Sequence, residues 1–348
     1  MSGEVKVGIA GLGRSGWRNH AAVLGTLPEM YRVVAVSDPL EERRREAVEK
    51  FGCRAYPDFE SLIGDDEVEL VVIATPSHLH APQTIKALEA GKNVVCEKPM
   101  AATLAEADAM IEAYKKTGRL LTIFQNRRYD PDFLKVKEVI QSGKLGRIVL
   151  IKMSWHSFGR RWDWQTLKKF GGGELRNTAS HAIDQALQLF GDEEPEVFCD
   201  MQRTLTLGDA EDHVKIILRA PGAPMVDIEV TRACAYPQSW WLIMGTQGGL
   251  TGSTTSLKWK YFNPEDLPPR QVDEKPTPDR SYNREEIPWI EETWNLGEGY
   301  KRGTFLFYEE LYKTLRHGAP LAITPESVRR VMWVIEKCRE LCEGRGCV

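Results

Sequence analysis

Three short stretches and one lysine-bearing tripeptide hold residue types that could act together on a hydroxyl-bearing carbon. One is Gly171-Gly172-Gly173-Glu174-Leu175-Arg176-Asn177-Thr178-Ala179-Ser180-His181-Ala182-Ile183-Asp184. On a helix, Asn177, His181, Asp184 or Gln185, and Gln188 fall on one polar stripe, with Ile183, Ala186, Leu187 and Phe190 on the apolar side. A solvated helix face would give the same stripe. A histidine beside an amide, served by a remote lysine, can instead take a hydroxyl proton without a metal. The remote lysine is found in Glu97-Lys98-Pro99. There Lys98 would hydrogen-bond a substrate hydroxyl and help carry its proton, while Glu97 would pair with Lys98 or brace a cofactor.

The second stretch is Ala74-Thr75-Pro76-Ser77-His78-Leu79-His80. His78 and His80 have an i, i+2 spacing that metal ligands can use, but no Cys or acidic cluster accompanies them. A loop placing Thr75, Pro76, His78 and His80 beside a nicotinamide is the expectation, with no metal. The third stretch, Gly11-Leu12-Gly13-Arg14-Ser15-Gly16, fits a dinucleotide cradle. Gly11 permits a tight turn, Gly13 lets the backbone approach a pyrophosphate, and Gly16 allows close helix–strand packing. Arg14 and Ser15 would face the phosphates at the helix N-terminus. Asp38, at the end of the next apolar run, would accept bonds from the adenosine ribose and repel a 2′-phosphate. NAD is therefore expected over NADP, with Arg43 and Arg44 keeping NADP possible.

Elements must bring these stretches together. Apolar β-branched runs at Val5–Ala10, Val33–Val36, Leu70–Thr75, Asn93–Cys96 and Leu120–Phe124 read as buried strands. Helical patterns alternate with them near Trp17–Leu27, Leu40–Phe51, Ala81–Ala90 and Leu104–Lys116. That alternation predicts a parallel, doubly wound sheet, with ligands at the carboxyl ends of its strands. After Asn126 the rhythm changes: a helix over Phe133–Gln141, a strand over Ile148–His156 and a helix over Thr178–Phe190. Strand candidates then follow one another at Val197–Leu207, His213–Arg219, Val226–Ala233 and Trp240–Met244, predicting a mainly antiparallel sheet. Asn263–Pro288 reads as an exposed arm, and helices over Thr304–Arg316 and Glu326–Cys342 follow.

Composition excludes several classes. Lys plus Arg number 46 and Asp plus Glu 50, a net charge of −4 without the basic field of a nucleic-acid binder. No signal-peptide pattern opens the sequence, and its longest stretch without charged residues is broken by Pro237 and four glycines, so no membrane span is expected. Seven cysteines, an odd number without a CxxC pair, suit a reducing, cytoplasmic compartment. Cys338 and Cys342, one helical turn apart, read as small core residues before half a metal site, and Cys347 as a tail thiol. Of ten tryptophans only Trp17 precedes position 150. Trp155, Trp162 and Trp164 flank His156, Arg160, Arg161 and Asp163. Flat aromatic faces with Arg or Asp hydrogen bonds commonly hold carbohydrate rings, which makes Trp155, Arg161 and Asp163 candidate substrate contacts. Burial between sheet and helix would account for each tryptophan equally.

In this order and spacing the segments resemble the glucose–fructose oxidoreductase, inositol dehydrogenase and rhizopine-catabolism (Gfo/Idh/MocA) family. The resemblance runs from Val5 to about Arg339. It rests on GLGRSG, ATPSHLH, EKP, GGG followed by H-x-x-D, and the closing LRHGAPLAITPESVRRV. It implies an α/β Rossmann domain over residues 1–125, then an α+β domain over 126–348 with an open-faced, mainly antiparallel sheet. It also implies NAD(P)-linked hydride transfer at a hydroxyl of a sugar, sugar derivative or cyclitol, and a homodimer or homotetramer. The family's catalytic pair carries over to Lys98 and His181, and Asp184 would orient His181, contact substrate or anchor its helix. Asn177 stands where many members have Asp, so His181 is expected to be a weaker base. Two other readings follow from relatives. One is a glycoside-processing enzyme that uses tightly bound NAD for transient oxidation; the other is a non-catalytic NAD-binding regulator.

Overall fold

The apolar runs of the front segment are strands buried on both faces. In a computed structural model, which describes residues 3–277 and 280–343, they form a six-stranded parallel sheet. Its strands are β1 (Val5–Ala10), β2 (Tyr31–Ser37), β3 (Arg54–Tyr56), β4 (Leu70–Ile73), β5 (Asn93–Cys96) and β6 (Leu121–Ile123), ordered β3-β2-β1-β4-β5-β6. Val5, Val7, Ile9, Leu70–Ile73 and Val94–Cys96 have no solvent exposure, because helices cover both faces. The order reverses beside β1, so the turns after β1, β4 and β5 converge on one crevice.

The second sheet has eight strands: β7 (Ile148–His156), β8 (Glu196–Gln202), β9 (His213–Arg219), β10 (Met225–Thr231), β11 (Trp241–Gly245), β12 (Gly248–Gly252), β13 (Ser256–Tyr261) and β14 (Ile290–Asn295). They lie in the order β14-β13-β12-β11-β7-β10-β9-β8, antiparallel except for the parallel pair β7–β10. Alternate residues of β9 and β10 are buried while their neighbours face outward; helix Pro131–Gln141 packs against Trp241 of β11, and helix Ser180–Phe190 packs on β10. Trp241 is fully buried and donates to Asp132 at 2.8 Å, fixing the first of these helices to the sheet.

Two expectations change here. The strand expected over Val197–Leu207 stops at Gln202, because the Asp212 carboxylate accepts main-chain N–H bonds from Thr204, Leu205 and Thr206 and turns the chain. The helices expected from Trp17 and Thr178 each begin as a π-helical turn, Gly16–Ala21 and Leu175–Ala179.

Arm residues 263–277 and 280–288 carry no strand and are mostly exposed; Pro278 and Asp279 lie outside the described residues. The last two helices pack back on the first sheet. Gly303–His317 places its Tyr308 carbonyl 2.7 Å from Tyr31 Oη and clasps Glu69 through Arg316. Pro325–Glu343 buries Cys338 and Cys342 beside Cys199 of β8, and Cys347 lies outside the described residues. Among the described residues no group of His, Cys, Asp and Glu could hold a metal ion, and no helix is long and apolar enough to cross a membrane.

Candidate functional site

The glycine-rich turn makes a cradle with little room for side chains. Gly11 has φ +86°, and a Cβ there would sit 2.8 Å from the Ala74 carbonyl oxygen. A Cβ on Gly16 would overlap the Gly11 carbonyl oxygen. Gly13 differs: nothing in the protein lies within 4 Å of a Cβ there, so its backbone is open to a ligand. An 870 Å³ cleft runs from Asp38 past Gly11, Gly13, Arg14 and Ser15, along Thr75 and Pro76, to Glu97, Lys98 and Asn177. These residues fit a dinucleotide, since the cleft joins a carboxylate at one end to a lysine at the other across an open glycine backbone. Asp38 is buried, and its carboxylate accepts from the main-chain N–H groups of Leu12 and Leu40. Arg43 donates to it at 3.3 Å, and Arg44 donates to the carbonyls of Asp38 and Pro39. Both arginines thus fold back onto this turn, Arg43 while remaining exposed to solvent.

At the other end, Glu97 does not use Lys98 Nζ as its partner. Its Oε1 lies 3.0 Å from His20 Nε2 and accepts from the Ser15 hydroxyl; its Oε2 accepts from the Lys98 main-chain N–H. His20 is fully buried, with Nδ1 2.6 Å from the Tyr308 hydroxyl. Burial alone would raise the Glu97 carboxyl, but His20, then Ser15 and Lys98, outweigh it and hold it at about 2. Sequence reasoning missed this chain. His20 sits next to the glycine motif, but nothing local ties it to Glu97 or to Tyr308, 288 residues away.

Lys98 projects from the end of β5, and its Nζ donates to the Asn177 carbonyl oxygen at 2.7 Å. Burial, with Arg127 and Arg14 adding to it, brings its ammonium down to about 8 against the pull of Glu97. Beyond Lys98 the cleft continues into a 740 Å³ chamber lined by Lys98, Asn177, His181, Arg127 and Arg161 among others. The π-helical turn Leu175–Ala179 presents Asn177 to both cavities. His181 Nδ1 is buried with no hydrogen-bond partner among the described residues. Burial, then the positive charges of Lys98 and Arg127, push its imidazole well below the ordinary histidine range, and among the described residues no carboxylate opposes them. Arg161 and Asp163 line both cavities and clasp each other through two bonds of 2.9 Å.

Three expected site residues stand away from the two cavities, and a fourth lines the cleft from a different element. Trp155 is buried, stacked 4.5 Å from Trp240 with the Arg127 guanidinium 4.9 Å over its ring, so no ring face is left for a sugar. Asp184 is buried in a two-pronged pair with Arg128, at 2.6 and 2.8 Å, and anchors the helix away from substrate. His78 is exposed and does not line the cleft. His80 is not a loop residue but opens helix His80–Glu89, buried, its ring bridging the carbonyls of Pro99 and Thr75 at 2.7 and 3.0 Å. It lines the cleft and at the same time braces its wall. The exposed aromatic on the cleft is Trp164.

Residues 5–125 match the family described as "Oxidoreductase family, NAD-binding Rossmann fold", and residues 133–251 the "GFO/IDH/MocA C-terminal domain". An oxidoreductase of Schizosaccharomyces pombe is 35% identical over 62% of this chain; the aligned part spans 61% of that relative's length. Myo-inositol 2-dehydrogenase of Thermotoga maritima is 31% identical over 67% of this chain and 70% of its own. Among solved structures, an NAD-binding protein from Listeria innocua superposes with TM-score 0.82 at 26% identity, covering 99% of this chain and 98% of the other.

Proposed function

The chain belongs to the GFO/IDH/MocA oxidoreductase family, and from that premise we propose that it is an NAD(P)-dependent dehydrogenase acting on a CH–OH group of a sugar, sugar derivative or cyclitol. One observation carries the reading: Lys98 and His181 line a single chamber that opens onto the glycine-loop cleft. We assign residues 1–125 to nucleotide binding and 126–348 to substrate binding and assembly, the last two helices returning to brace the first unit.

Bound in the cleft, the nicotinamide supplies the hydride acceptor or donor. The protein's own groups supply the rest. Gly13, Arg14 and Ser15 receive the phosphates, and Asp38 receives the ribose of the adenosine half. The hydroxyl to be oxidised lies between Lys98 Nζ and the His181 ring. His181, kept neutral by burial and by its cationic neighbours, takes the hydroxyl proton, and Lys98 hydrogen-bonds the same oxygen as charge develops on it. The main-chain carbonyl of Asn177 holds Lys98 in place, a service any residue there would give. Its side-chain amide is left to orient a substrate hydroxyl, while the Arg161–Asp163 pair forms the outer wall.

The test is NADH formation from a panel of polyols, aldoses and cyclitols. Lys98→Ala and His181→Ala should each lower kcat at least ~100-fold, the usual scale for loss of a general acid or base. NADH binding should persist in both variants. Full turnover in both would remove the proposal.

A further inference from the structure

The chamber around Lys98 and His181 is positively charged beyond what its own carboxylates balance. Six cationic side chains line it: Arg14, Arg18, Lys98, Arg127, Arg161 and Arg232. Its two carboxylates are already engaged, Glu97 with His20 and Ser15, and Asp163 with Arg161. Arg232 is matched by buried Glu174 at 3.0 Å, and Arg14 belongs to the dinucleotide loop. Arg18 is exposed and has no carboxylate partner among the described residues. The nearest carboxylate to Arg127 is Asp130, at 3.5 Å. Burial pushes Asp130 up to about 7 in spite of Arg127, so it is a poor counter-ion at neutral pH. The Arg127 guanidinium lies over the Trp155 ring, which Trp240 backs, so its donor fork is held in orientation before any ligand arrives.

A neutral polyol offers hydroxyls that both donate and accept. Lys98 and the arginines only donate, so they favour a ligand with surplus acceptor oxygens. Resting on the dehydrogenase reading above, we infer that the substrate carries an anionic group, a carboxylate or a phosphate, on its polyol frame, held by Arg127 and Arg18 while a hydroxyl lies between Lys98 and His181. The same field bears on His181, where Lys98 and Arg127 both disfavour the imidazolium and no carboxylate among the described residues relieves them. A bound anion is the missing counter-charge.

The experiment uses the full chain with saturating NAD and compares kcat/KM within pairs sharing a carbon skeleton. The pairs are an aldonate against its alditol, a hexuronate against its hexose, and a hexose phosphate against the same hexose. At least one anionic member should exceed its neutral partner by ~10–100-fold, the worth of a charge-assisted hydrogen bond. The first two pairs report a carboxylate and the third a phosphate. Arg127→Gln should shrink the ratio by a similar factor. Arg18→Gln, on an exposed side chain that cannot upset the core, should shrink it ~3-fold or more. Neutral members that match or outrun the anionic ones overturn the inference and leave the dehydrogenase reading standing, as does a ratio unmoved in both variants. Turnover of no member, with NADH still bound, brings down the dehydrogenase reading and this inference together.

Discussion

Lys98 is the residue whose charge state matters most at working pH. Its ammonium, brought down to about 8 by burial and by Arg127 and Arg14, titrates within reach of ordinary assays, whereas an exposed lysine would not. His181 has left that range in the other direction and stays neutral. In the oxidative direction it is the ammonium that donates to the oxygen on which charge develops. The kcat/KM profile for oxidation should therefore fall as pH rises through about 8, with no second limb near the ordinary histidine range. A limb that persists unchanged in Lys98→Arg, which stays charged, would assign it to another group. Glu97 contributes no limb above pH 5, because His20 and Ser15 hold its carboxyl at about 2.

At the scale of elements, both π-helical turns stand at the site: Gly16–Ala21 delivers His20 to Glu97, and Leu175–Ala179 delivers Asn177 to Lys98. Such turns widen a helix by one residue and are frequent at functional positions. The first needs Gly16, since a Cβ there would overlap the Gly11 carbonyl oxygen. Gly16→Ala should cost about 1–3 kcal/mol of stability in thermal or urea melts. It should also weaken NADH at least ~10-fold in a fluorescence titration; unchanged binding would mean the turn is not part of the cradle. The sequence does not announce either turn, because a single π turn is too short to leave an apolar periodicity of its own. Legibility varied in the same way elsewhere. Val5–Ala10 and Asn93–Cys96 were readable to the residue, since strands covered on both faces leave an unbroken apolar run. Strand β12 was not, because Gly248 and Gly249 offer no alternating side chains, and β14 hides hydrophobic Trp294 among Glu291, Glu292 and Asn295. Lys98 and His181 stood out by motif and converge on one chamber. Trp155 and Asp184 took the structural side of the readings left open for them, because neighbouring positions in a motif do not reveal which side of the element faces inward. His20 was invisible because its partners lie on other elements.

Over the whole molecule, the eight-stranded sheet keeps one face under helices and leaves the other open. Phe198, Met225 and Met244 point out from it with about two fifths of their surface exposed, and Leu150 lies in register between the two methionines. An apolar band of this kind favours association with a second copy, and we propose a homodimer or homotetramer through it. Light scattering should give two or four times the 39.4 kDa chain mass. Met225→Lys combined with Met244→Lys should shift it toward one; a wild-type monomer would refute the assembly. The returning helix Gly303–His317 has a different consequence, one of time. The ribosome releases His20 and Glu97 early, but Tyr308, whose hydroxyl completes that buried pair, emerges more than half the chain later. At ordinary elongation rates the interval after β6 is about 10–40 s. Through that interval the nascent nucleotide sheet has Tyr31 and Phe124 uncovered, so the order of synthesis hands chaperones a defined window on a half whose sequence looks self-sufficient.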